Sequence, residues 1–93
     1  MKKTSDIICV KTIANSQEAI KTKRHWEFWS YNTLICIIDL DSQQHYFTKD
    51  WNYSIKTTKY LKEFLNMYSF NFGFDHSTQD LIDLIAEKQI RMI

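Results

Sequence analysis

Cys36 and His45, with Asp39 and Asp41 between them, are the nearest approach to a reactive set in this chain. A thiol beside an imidazole is the pairing of a cysteine nucleophile with its base. Two close carboxylates are a common start for acid–base or divalent-cation chemistry. The surrounding letters give each residue a plainer use. Cys36 lies in L-I-C-I-I, the most apolar run of the chain, where burial raises a thiol's pKa and closes off access. Asp39 and Asp41 belong to D-L-D-S, in which short polar side chains bond nearby backbone amides to make a turn. His45 then reads as a partly exposed structural residue of the strand that follows. His25, His45 and His76 are scattered, and none has a Cys or His partner at metal-ligand spacing. One glycine in the whole chain leaves no phosphate-cradling loop. No catalytic residue, cofactor or metal is expected, and the chain reads as a non-enzyme.

Two other groups of residues suit binding. S-I-K-T-T-K places Ser54, Thr57 and Thr58, with Lys56 and Lys59, around a helix entrance, where backbone amides and the helix dipole favour an anion. The plainer alternative has the threonines capping the helix and the lysines in solvent. Lys21, Lys23, Arg24 and His25 run directly into Trp26 and Trp29. Cations for phosphates and rings for stacking are what single-stranded nucleic acid binding uses. Against that stand the shortness of the cluster and a net charge of only +1, too little for a global pull on polyanions. A partner protein would instead meet an aromatic anchor with a charged rim, and Trp26, Trp29, Trp51, Tyr53, Lys56 and Lys59 are the residues to supply it.

The elements that must position these residues fit one domain over residues 1–93. Apolar residues are 44% and charged residues 25%, as in an ordinary soluble globular protein; aromatics, at 15%, supply large rings for a small core. Charge is uneven along the chain: residues 1–30 are basic and residues 71–93 acidic. Cys9 and Cys36 each sit inside an apolar run and read as small buried hydrophobes rather than a disulfide. No run approaches the roughly 18–20 apolar residues of a membrane span, and Met1-Lys2-Lys3 leads into polar residues, not a secretory leader. A cytoplasmic protein, monomer or homodimer, is the expectation.

Ile7 to Ile13 reads as a strand, and residues 15–24 as a loop or a short helical turn begun by Ser16. The ring-rich segment from Trp26 reads as strand. Thr33 to Ile38 and Gln44 to Thr48 form a hairpin across Asp39–Ser42. A helix capped by Thr57 or Thr58 follows, with Leu61, Phe64, Leu65 and Tyr68 on its apolar stripe and Gly73 just past its end. A second helix starts at Ser77 or Thr78 and buries Leu81, Leu84, Ile85 and Met92, with Ile82 and Ile90 broadening the stripe, Asp80 and Asp83 early and Lys88 and Arg91 late. The expected fold is α+β: a small antiparallel sheet of about three to four strands packed by two C-terminal α-helices.

Ser30, Tyr31, Thr33 and Ile35, then a hairpin, then Tyr53, Ser54, Thr57, Thr58 and Lys59 give the pattern Ser-Tyr-x-Thr-x-Ile … Tyr-Ser-x-x-Thr-Thr-Lys. This resembles a small domain of unknown function that recurs in phages and mobile elements of AT-rich bacteria. Tyr60 stands where that family often has His. The resemblance implies a phage protein of the anti-CRISPR type: an inhibitor that evades host defence by protein–protein interaction, binding a CRISPR-Cas-like effector stoichiometrically in the host cytoplasm. The alternative is a nucleic-acid-binding accessory protein using residues 21–29 and 54–59.

Overall fold

The computed structural model of the chain describes residues 7–69 and 77–93. Five strands come first: β1 (Ile7–Ala14), β2 (Gln17–Thr22), β3 (His25–Ser30), β4 (Thr33–Asp39) and β5 (His45–Phe47). Two helices, α1 (Ile55–Tyr68) and α2 (Thr78–Ala86), precede a last strand, β6 (Ile90–Met92). All six strands lie in one sheet in chain order, antiparallel from β1 to β5 and parallel between β5 and β6. The sheet is therefore mixed and larger than the antiparallel three or four strands expected from the sequence. The parallel step follows from the connection: two helices between β5 and β6 carry the chain back to the starting end, which a tight hairpin cannot do.

The two strands missing from the sequence-based expectation are β2 and β6. Q-E-A-I-K-T looks polar, yet β2 is an interior strand with a ladder on each side, and it buries its two apolar residues, Ala19 and Ile20. Asn15 and Ser16 reverse the chain before it, with Ser16 at φ 63. β6 lies in what reads as the end of the second helix. That helix stops at Ala86 because Lys88, at φ 63, turns left-handed. The Lys88 amide donates to the Ile85 carbonyl at 3.0 Å and the Gln89 amide to that of Leu84 at 2.9 Å, the double bond of a Schellman end. Glycine usually fills that position, so a lysine there gives no stop signal. Helix α1 begins at Ser54, not at Thr57 or Thr58: the Ser54 hydroxyl accepts from the Thr57 amide at 3.0 Å. The Gly73 cap and the aromatics expected beside it lie outside the described residues, as does His76.

Ladder partners share a face of the sheet. Ala19, Phe28, Cys36 and Phe47 form one row facing the helices, and Trp26, Ile38, His45 and Ile90 the next. A register shift between Phe28 and Trp29 lets Ile35 and Cys36, adjacent in sequence, both bury in the core. From α1 come Leu61, Phe64 and Leu65, and from α2 Leu81. Phe64 stacks on Phe28 with centroids 5.4 Å apart, and Tyr68 stacks on Trp26 at 3.9 Å. Among the described residues, no helix is long and apolar enough to cross a membrane.

Gln17 is fully buried at the start of β2, and among the described residues neither its amide nitrogen nor its oxygen meets a partner. Its ladder neighbour Ser30 instead bonds Thr57 of α1, oxygen to oxygen, at 2.9 Å. An unsatisfied buried amide costs roughly 1–3 kcal/mol, and an apolar group of the same shape removes that cost. Gln17→Leu should therefore raise stability by about 1 kcal/mol or more in urea denaturation; a loss of stability would show that the amide is used.

Candidate functional site

The helix entrance picked out by S-I-K-T-T-K opens onto a groove of about 420 Å³ lined by Asn52, Tyr53, Ser54, Ile55, Thr58, Lys59, Lys62 and Thr78. It forms where the loop after β5 meets α1 and the first turn of α2 comes alongside. Lys62 ties the two helices, its Nζ donating to the Thr78 hydroxyl at 3.2 Å. Lys59 leans over the Tyr60 ring, 5.2 Å from the centroid. Tyr53 is 50% exposed and Ile55 91% exposed, the most exposed large apolar side chain among the described residues. Among the described residues, no acidic residue lines the groove.

The hydroxyls proposed for an anion are engaged within the fold. Thr57 is buried, with its Oγ1 bonded to both Ser30 and Ser54 at 2.9 Å. The Thr58 hydroxyl donates to the Ser54 carbonyl at 2.9 Å. Ser54 itself caps the helix. What the groove presents outward is therefore lysine, Tyr53 and Ile55 rather than the hydroxyls of Ser54, Thr57 and Thr58.

The tryptophans are elsewhere. Trp51 is buried against Phe47, with centroids 5.4 Å apart. Trp29 is buried with its indole N–H donating to Glu27 at 2.8 Å, and the other Glu27 oxygen meets His25 Nε2 at 2.6 Å. Trp26 is half-buried between Tyr68 and the Lys21 ammonium, which lies 5.9 Å over its ring. Of the expected contact residues the groove gathers Tyr53 and Lys59, and Lys56 stands exposed beside it. Ile55, Lys62 and Thr78 were not anticipated. The first two had a signal: Ile55, Lys59 and Lys62 fall at i, i+4 and i+7, one stripe of a helix off its buried face. Thr78 had none, since its place depends on how α2 packs.

The reactive-looking set is taken up by structure. Burial pushes the Cys36 thiol well above its usual range. His45 is buried rather than partly exposed, its Nε2 bonded to the Ser69 hydroxyl at 2.8 Å, and burial lowers its pKa to about 4. Asp39 accepts from the amides of Asp41 and Ser42 at 2.9 and 3.3 Å, which closes the β4–β5 turn. Among the described residues, no three His, Cys, Asp or Glu side chains group as metal ligands.

The model of a family of unknown function, DUF8033, matches residues 8–83. No curated protein and no solved structure matches the chain.

Proposed function

We propose a binding role for this chain, which belongs to the DUF8033 family of unknown function: it occupies the surface of another protein, one chain per partner and without turnover. In the phage setting implied by the Ser30–Leu65 pattern, that partner is a nuclease effector of host defence. The observation that carries the reading is the groove at the start of α1, where exposed Tyr53 and Ile55 stand with Lys59 and Lys62, and exposed Lys56 follows Ile55 in the chain. An apolar anchor ringed by charge is the composition of a contact patch, and an exposed isoleucine has no role in the fold's own core.

The test is a cleavage assay with purified CRISPR-type effector complexes and the full chain in increasing amount. Inhibition should saturate near one chain per effector. Tyr53→Ala with Ile55→Ser should shift the titration by about tenfold or more, the loss of a central anchor. Undiminished nuclease activity at large excess counts against the inhibitor role. The nucleic-acid reading has less support: Trp29 is buried and Trp26 is already stacked on Tyr68, so the 21–29 cluster offers no free ring pair to bases. A steep fall in DNA affinity with salt would revive it.

A further inference from the structure

We infer that the groove between Tyr53 and Lys62 takes an acidic protein segment bearing an aliphatic side chain, an inference that rests on the docking role above. Charge complementarity is the first argument. The ionisable side chains lining the groove are Tyr53, Lys59 and Lys62. Among the described residues their recorded partners are neutral: the Thr78 hydroxyl for Lys62 and the Tyr60 ring for Lys59. The first turn of α1 carries no acid that would offset them. A carboxylate entering the groove therefore meets two lysines that have no ion-pair partner among the described residues, and it gains charge-assisted bonds that a neutral chain does not.

The second argument is the apolar wall. Ile55 and Tyr53 flank the same lysines, and a volume of about 420 Å³ is within the roughly 300–1,000 Å³ range of ligand clefts. That space suits one or two side chains of an extended segment, an aliphatic one against Ile55 and Tyr53 and an acidic one against Lys59 or Lys62. Nucleic acid fits less well. Tyr53 offers one ring for stacking beside an isoleucine that offers none, and two lysines neutralise few phosphates, whereas backbone binding draws its affinity from many.

Fluorescence anisotropy on the full chain at low salt tests this with three labelled probes: a Glu-Leu repeat peptide, a Lys-Leu repeat of equal length, and a single-stranded thymidine oligonucleotide. The Glu-Leu peptide should bind at least tenfold tighter than either of the others, a gap of about 1.4 kcal/mol or more. Lys59→Glu with Lys62→Glu should abolish that preference, and Ile55→Ser should weaken binding with the charge intact. Circular dichroism of each variant confirms that the fold is kept. Equal binding of the two peptides, a charge-reversed variant that binds as before, or tighter binding of the oligonucleotide overturns the inference. If effector inhibition is lost in Tyr53→Ala with Ile55→Ser but unchanged in the lysine variant, the acidic partner is wrong and the docking role stands. Tight Glu-Leu binding with no effector inhibited leaves the groove chemistry standing and removes the proposed partner.

Discussion

Phe64→Ala is expected to lower the free energy of unfolding by about 3–5 kcal/mol. Phe64 is fully buried and joins α1 to the sheet: its ring lies 5.4 Å from that of Phe28 on β3 and 5.4 Å from that of Tyr68 one turn on. Tyr68 in turn stacks on Trp26, so truncation opens a cavity in the middle of a line of rings. The loss combines the transfer of a phenyl group back toward water with the emptied space, which close-packed neighbours fill only in part. A domain of this size has roughly 5–15 kcal/mol in all, so the variant should unfold at a much lower urea concentration. Trp26 emission should also move toward that of a wetter ring. A loss under about 1 kcal/mol, the range of a surface change, would show that α1 does not pack on this face.

The second large effect is a loss of stability in mild acid that originates at His45. Its pKa in the folded chain is about 4, against an ordinary value of 6.5, because burial disfavours the charged ring. Above pH 6.5 neither state binds the proton and the fold keeps its full stability. As the pH falls from 6.5 toward 4 the unfolded chain takes up a proton that the folded one refuses, and the equilibrium moves toward unfolding. At about 1.4 kcal/mol for each unit, the loss is on the order of 3 kcal/mol by pH 4. His45→Gln keeps a polar group for Ser69 without titrating. The stability difference between the two proteins, measured at intervals from pH 7 to pH 4, should therefore change by about that amount. A difference that stays constant with pH would mean that His45 is not held neutral.

How much of this could be read in the letters depends on where each element gets its stability. The β4–β5 hairpin is legible because L-I-C-I-I and D-L-D-S carry both the strand and the turn locally. So is the buried side of α1, since Leu61, Phe64 and Leu65 follow the helical period and all are buried. β2 is not legible, because its buried residues include Gln17 and Thr22 and its partners lie in neighbouring strands. β6 is short and finds its place only once two helices have brought it back to β5. The site divides in the same way. Tyr53, Lys59 and the Ile55–Lys62 stripe belong to one local segment, whereas the burial of Trp29 and Trp51 depends on tertiary packing that no spacing announces.

Among the described residues, Ser16, Tyr31, Asn32, Gln43 and Lys88 take left-handed backbone. A side chain in that conformation is opposed by its own Cβ, by roughly 1–2 kcal/mol where the residue is not Asn or Asp. Among the described residues this tension sits at the reversals between elements, and none of those residues lines the groove. Tolerance to mutation should follow the same map. Glycine at Tyr31, Gln43 or Lys88 relieves that opposition and should offset part of a loss suffered elsewhere in the fold.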